Sequence, residues 1–202
     1  MSDRWRHPAI KAIAIGCSAG GLDVLHVILP LLPADFALPV VVVAHIGPSA
    51  ENLIVGALRR DCLLPVVEAE ERMTVTPGTI HVAPPDYHLL VEADHTFSLS
   101  VDSKVNNSRP SIDVFLASAA DAWGSGLAAV LLTGANCDGV GGMAAVKAAD
   151  GFCIVQDPAT AYAPIMPQSA IDAGIADRVL TPEGIAALIV SFHSSSHKGA
   201  VA

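Results

Sequence analysis

Charge and aromatic rings are scarce in this chain. Charged residues supply only 15% of its 202 positions, and Phe, Tyr and Trp together 4%. The 11 basic residues are outnumbered by 20 acidic ones, for a formal net charge of −9. The cationic field that draws proteins to phosphate backbones is therefore missing, and no nucleic-acid partner is expected. Long hydrophobic runs are absent too: Pro, Gly or a charged residue breaks each one well short of the ~20 residues that cross a bilayer. Nor do the first seven residues, Met-Ser-Asp-Arg-Trp-Arg-His, contain the apolar stretch of an export signal. Membrane insertion is not expected, and a cytoplasmic location is. Cysteine is limited to positions 17, 62, 137 and 153, with no C-x-x-C pair and no zinc-ligand spacing. These read as reduced, mostly structural thiols, and neither a metal nor a cofactor is expected.

What the chain does have is apolar mass in short, regular pieces. Hydrophobic residues make up 52% and mean hydropathy is +0.52, enough for one sizeable core and too much for disorder. Strand-like and helix-like runs alternate: a strand at Ile13, a helix over 22–32, a β-branched strand over 39–44 buried on both faces, a helix over 50–60, and a strand at Val66 and Val67. Three short β-rich runs follow, 79–83, 88–92 and 96–101, separated by turn residues, and they predict an antiparallel hairpin attached to a mainly parallel sheet. Helical spacing returns over 112–123, where Ile112, Phe115, Leu116 and Ala119 recur at intervals of three and four and Asp113 suits the first turn. A strand from Leu127, a helix from Val140, a strand over 152–155 and a short helix after Met166-Pro167 come next. A last helix over 182–192 opens on the start signal Thr181-Pro182-Glu183. The rhythm predicts an α/β fold, doubly wound, with a mainly parallel sheet, helices on both faces and a hairpin, in three Rossmann-like layers. The expected organisation is an N-terminal extension over 1–12, one domain over 13–193 and a polar tail over 194–202.

Chemistry concentrates where strands end. Gly16-Cys17-Ser18-Ala19-Gly20-Gly21 joins the first strand to the first helix, so a serine stands on a sharp, glycine-flanked turn that resembles a nucleophile elbow and strains the serine backbone. The first amides of the helix then point at the same spot. The glycine spacing fits neither G-x-G-x-x-G nor a G-K-[ST] phosphate loop. A serine hydroxyl needs a base and a group to orient that base. His45 follows the second strand, and Asp138 follows the strand from Leu127 within a glycine-rich turn. The carboxyl edge of a parallel sheet is where such folds do chemistry, so Ser18, His45 and Asp138 form a candidate triad. Its chain order differs from those of the α/β-hydrolases, chymotrypsin and subtilisin. His81, His88 and His95 recur every seven residues, which places successive rings on opposite pleat faces and argues against a shared metal. His193 and His197 fall where the chain reads as fraying.

Several spaced motifs together resemble the catalytic domain of the chemotaxis protein-glutamate methylesterases, the CheB type, from about Ile13 to Phe192. They are Ile15-Gly-Cys-Ser-Ala-Gly-Gly21, Ala44-His45-Ile46, Pro84-Pro85-Asp86-Tyr87-His88, Arg109-Pro110-Ser111-Ile112-Asp113, Leu132-Thr133-Gly134 with Asp138-Gly139, Gln156-Asp157 and Met166-Pro167. The resemblance implies hydrolysis of glutamate γ-methyl esters on the cytoplasmic helices of methylated chemoreceptors, with glutamine deamidation as related chemistry. It assigns Ser18 as nucleophile, His45 as general base and Asp138 as its partner, with the backbone N–H groups of Ala19 and Ala135 as the oxyanion hole. Ala19 stands where the family has threonine, and Ala135-Asn136-Cys137 where it has M-G-x. Those departures keep open an alternative reading as a serine hydrolase for another ester or amide, and a second one as a non-catalytic regulatory module. Arg59, Arg60, Arg72 and Arg109 are the candidate cations for docking a glutamate-rich helix. The elbow serine lies too early for a phospho-receiver domain before it in this sequence, so the chain is expected to be a stand-alone methylesterase, a piece of a longer polypeptide, or a relative controlled by a separate protein.

Overall fold

Short apolar runs of β-branched and small residues form strands because both of their faces can be buried, and here they build one seven-stranded parallel sheet. The computed structural model describes residues 9–45 and 53–196. In chain order the elements are β1 (Ala12–Cys17), α1 (Gly21–Ile28), β2 (Val40–Ala44), α2 (Leu53–Asp61), β3 (Val66–Glu68), β4 (Ile80–Val82), β5 (His88–Val91), β6 (Phe97–Ser100), α3 (Ile112–Trp123), β7 (Leu127–Leu131), α4 (Val140–Ala148), β8 (Phe152–Gln156), α5 (Ile165–Asp172), β9 (Arg178–Leu180) and α6 (Pro182–Ser196). The sheet order is β3-β4-β2-β1-β7-β8-β9, with every pairing parallel. After β1 the chain steps outward through β2 and later returns on the other side through β7. The carboxyl ends of β2, β1 and β7 thus meet at the switch point of the topology, where open α/β sheets form a crevice.

Period-two alternation divides the strands between two cores. Ile13, Ile15, Val40, Val42, Val130 and Ile154 pack with Leu25, Ile28, Leu58, Ile185 and Ile189 of α1, α2 and α6. Ala12, Ala14, Val41, Val43, Ala129 and Val155 pack with Phe115, Leu116, Met143, Val146 and Met166 of α3, α4 and α5. Alanines on the second face let α3 come close: a methyl group added at Gly16 would lie 2.4 Å from Ile112 Cγ2. That approach brings the amino end of α3 to the carboxyl end of β1.

The hairpin forms from β5 and β6 as a separate two-stranded antiparallel sheet, with Leu89, Val91 and Phe97 buried in the α3 core. The 79–83 run takes no part in it. As β4 it inserts between β2 and β3 as a parallel strand, a long-range pairing that local sequence does not reveal. Strand β9, three residues with exposed or half-buried side chains, was not foreseen. Helix α1 is shorter than expected because Pro30 cannot donate to the ladder, and residues 29–31 tighten into a 3-10 turn. Helix α6 runs past residue 192 to Ser196. His193 does not fray: its Nδ1 accepts from the Ala37 N–H at 3.2 Å, and its ring lies 5.6 Å from that of Phe36. The first residues of the expected 50–60 helix, most of the N-terminal extension and His197 lie outside the described residues. Among the described residues no helix is long and apolar enough to cross a membrane.

Candidate active site

Ser18 follows β1 directly, and its amide donates to Thr133 O just past β7 at 2.9 Å. The turn differs from a nucleophile elbow in where it takes its unusual backbone. Ser18 is not among the residues at positive φ; Gly20 is, at φ 77° and ψ 2°. The conformation that L side chains avoid is thus placed on glycine, and the expected strain at the serine is absent. Ser18 stays half-exposed at the mouth of the crevice.

His45 follows β2, hydrogen-bonded through its amide to Cys17 O at 3.1 Å. Its ring stands between the other two residues. Nε2 lies 2.8 Å from Asp138 Oδ2, and Nδ1 lies 3.2 Å from Ser18 Oγ. The carboxylate can only accept, so Nε2 carries a proton and Nδ1 offers its lone pair to the serine hydroxyl. Ser108 Oγ lies 3.4 Å from the same Nδ1.

Asp138 is fully buried. Its Oδ2 also accepts from the Ile112 N–H at 2.7 Å, and its Oδ1 accepts from Asn106 Nδ2 and Ser111 Oγ, each at 2.9 Å. Burial alone would push this carboxyl up, but the bonds from His45, Asn106, Ile112 and Ser111 outweigh it and hold the pKa at about 2. The carboxylate therefore stays charged at neutral pH, seated on the positive end of α3. Asp113 returns the arrangement. It stands in the first turn of α3, and its Oδ1 accepts from the N–H groups of Gly139 and Gly142, at 2.9 and 2.7 Å, at the start of α4. Ser111 is the cap of α3.

Neither the Ala19 nor the Ala135 N–H donates a hydrogen bond within the described residues. Ala19 follows Ser18 directly, and Ala135 lies in the loop after β7, whose Thr133 carbonyl accepts from the Ser18 amide. A strap over residues 161–166 braces both loops. Thr133 Oγ1 donates to Ala19 O and accepts from the Ala163 N–H, each at 2.9 Å, while Gly134 exchanges backbone bonds with Ala163 and Met166. Tyr162 of the strap rests on Gly20, where a methyl group would meet its Cβ at 2.5 Å, and is 82% exposed.

The four candidate docking cations stand in different places. Arg59 gives Nε and Nη2 to Val66 O at the start of β3, so it and Arg60 stand at the amino edge of the sheet, opposite Ser18. Arg109 is committed to Asp86 and to the carbonyls of Val101 and Asp102. Arg72 is exposed in the turn after β3. Cys17 is buried, which pushes its thiol up to about 12 and makes it inert at neutral pH. His88 donates from Nε2 to Ser103 O and accepts at Nδ1 from the Ser111 N–H. His81 sits in the core beside Phe97 and His95 stacks on Trp123, so the three rings serve separate places. Asn106, Ser108 and Tyr162 went unnoticed in the sequence because loop paths bring them to the site. The one available signal was their position beside the Arg109-Pro110-Ser111-Ile112-Asp113 motif or between Gln156 and Met166.

Comparison with known proteins gives a consistent set of likenesses. The family model for CheB methylesterase matches residues 13–189. Identity is 46% over 180 residues to a Leptospira interrogans protein provisionally named protein-glutamate methylesterase/protein-glutamine glutaminase, covering 89% of this chain and 93% of that one. It is 39% over 178 residues to the Thermotoga maritima protein-glutamate methylesterase/protein-glutamine glutaminase, covering 86% of this chain but 52% of that one. The crystal structure of the Thermotoga maritima CheB methylesterase catalytic domain superposes with a TM-score of 0.88 at 37% identity, covering 91% of this chain and 99% of that chain.

Proposed function

Since the chain belongs to the CheB methylesterase family, we propose that it hydrolyses γ-methyl esters of glutamate on the cytoplasmic helices of chemoreceptors, releasing methanol, and deamidates glutamine by the same route. The observation that carries this reading is the His45 ring bonded at one nitrogen to Ser18 and at the other to Asp138.

Ser18 Oγ attacks the ester carbonyl carbon while its proton passes to His45 Nδ1. The resulting imidazolium is held by Asp138, which keeps its negative charge throughout. The carbonyl oxygen becomes an oxyanion facing the amides of Ala19 and Ala135, which need no reorientation to receive it. Collapse breaks the bond to the methoxy oxygen, and the proton on Nδ1 leaves with it as methanol. Water then attacks the glutamyl ester of Ser18 with His45 again as base, giving the carboxylate and returning the serine. Because backbone groups hold the oxyanion, alanine at position 19 is compatible with the reaction. Tyr162 offers an apolar platform beside the serine, and Arg72 a positive charge, for an amphipathic acidic helix.

Incubating the protein with a methylated receptor cytoplasmic fragment and following methanol tests the proposal. The wild type should release methanol steadily and Ser18→Ala several orders of magnitude more slowly. A wild-type protein that leaves the methyl groups in place while hydrolysing other esters would replace the substrate named here.

A further inference from the structure

Two carboxylates, Asp138 fully buried and Asp113 half-buried, meet at the amino ends of α3 and α4, each belonging to one helix region and seated on the other. Asp138, just before α4, accepts from the first amides of α3; Asp113, in the first turn of α3, accepts from the amides of Gly139 and Gly142. Asn106 stands between them. Its Nδ2 donates one hydrogen to Asp138 Oδ1 at 2.9 Å and the other to Asp113 Oδ2 at 2.8 Å. One amide nitrogen has two hydrogens and no lone pair to repel a carboxylate, so it can serve both acceptors at once.

We infer that Asn106 is a positioning residue for the reaction: its side-chain amide bridges Asp138 and Asp113 and so holds Asp138 in register with His45. The inference rests on the proposed roles of His45 and Asp138. The two carboxylates repel each other, and each bears on the other's proton affinity. Burial pushes Asp113 up and the neighbouring Asp138 adds to this, while the bonds from Gly142, Asn106 and Gly139 pull it back. The titratable groups facing the pair are His45 from the end of β2 and, through Ser111, His88 from the hairpin. Arg109 is engaged by Asp86, and Lys104, in the same loop as Asn106, is exposed. The work of compensation falls to the helix amides, Ser111 and Asn106.

The backbone at this place suits the role. Asn106 and Asn107 lie at φ 50° and 61°, the left-handed region that asparagine enters more readily than most residues. The turn, closed by reciprocal backbone bonds between Val105 and Ser108, presents the amide toward the two carboxylates from an exposed loop.

The test uses Asn106→Gly, which removes the amide but keeps the left-handed backbone, and Asn106→Asp, which keeps shape and backbone but replaces the donor by a third carboxylate. Methanol release from methylated receptor fragment is followed as kcat/KM against pH. Losing the donor leaves the Asp138 charge less shared, so the His45–Asp138 pair holds its proton to higher pH. The acid limb should move up by roughly one pH unit in Asn106→Gly, the worth of one hydrogen bond to a charged group, and further in Asn106→Asp. Adding Asp113→Asn to Asn106→Gly removes the repelling charge and should bring the limb back. A lowered rate with an unmoved limb, or a shift that Asp113→Asn does not reverse, would overturn the inference. Titration of the aspartate carboxyl carbons by NMR gives a second reading independent of turnover: Asp138 should protonate at higher pH in Asn106→Gly, and an unchanged titration would equally refute it. If Ser18→Ala kept full activity the catalytic proposal would fall, and this titration would still decide the role of Asn106.

Discussion

His45 makes its two ring bonds to residues 27 and 93 positions away, and the energetics of catalysis should show that coupling. Ser18→Ala and His45→Ala should each cost several orders of magnitude in kcat, and the double variant no more than the worse single one, because neither group works alone. Independent, multiplying losses in steady-state kinetics would contradict this. Asp138→Asn should lower kcat by about 10⁴ with the fold intact, since an amide in that place favours the wrong imidazole tautomer; circular dichroism checks the fold and methanol release the rate. At this scale the sequence was informative because Ser18, His45 and Asp138 each stand just past an apolar strand, where local pattern and chemistry coincide. Asn106 carried no such mark. Its role depends on a loop that passes over two helix ends, and nothing in its neighbours' spacing encodes that path. For the arginines the sequence shows only the charge: the Val66 carbonyl that Arg59 meets, and the Asp86 carboxylate that Arg109 meets, come from other segments of the chain.

Helix α3 is the element on which the site depends, because its amino end receives Asp138 and its start is pressed against Gly16. Gly16→Val would place methyl groups where Ile112 now lies. It should destabilise the protein by about 1–3 kcal/mol, as overpacking does, and lower turnover more than the stability loss explains, since α3 is pushed off Asp138. Urea denaturation and kinetics on the folded fraction measure the two effects. Gly16→Val with normal turnover would show that α3 does not set the carboxylate. The strap makes a separate prediction: Tyr162→Ala should raise KM for receptor fragment while leaving hydrolysis of a small activated ester unchanged. The places of the helices and of β1, β2, β7 and β8 were legible in the apolar pattern and start signals, and for α3 the limits at residues 112 and 123 as well, whereas α1 ends earlier, α5 starts earlier and α6 runs longer than the pattern suggests. The parallel placement of β4 was not, because a three-residue strand looks the same whichever neighbour it pairs with.

As a whole the molecule is a doubly wound sheet whose pH response comes from buried groups in different layers. His81 is buried with Nε2 accepting from the Thr76 N–H and Nδ1 without a partner among the described residues, and burial pushes its pKa down. A lowered histidine supports the fold above its unfolded value of about 6.5 and loses that support as pH falls from there. Asp138, held at about 2, supports the fold above the unfolded carboxyl value of about 4 and loses that support as pH falls toward 2. Asp113, pushed up by burial, works against this, since protonation relieves it. Thermal melts should therefore show stability declining in two acid windows, and His81→Leu should remove the first while leaving the second. A parallel decline in both proteins above pH 5 would refute the assignment. The sheet's overall plan was readable because doubly wound folds follow from alternating apolar periods, whereas its pH response depends on which polar atoms the packing leaves unpaired.

The central claim is that Ser18 carries the glutamyl group between the two halves of the reaction. Acid-quenching the protein during turnover of a γ-methyl-glutamate receptor peptide, then mapping adducts by mass spectrometry, tests it most directly. The account predicts a mass gain equal to the peptide less methanol on the fragment containing Ser18, absent in Ser18→Ala. It also predicts that the adduct incorporates into peptide carboxylate when the quench is delayed. Methanol release with no adduct on any residue in the wild type, and undiminished in Ser18→Ala, would contradict it.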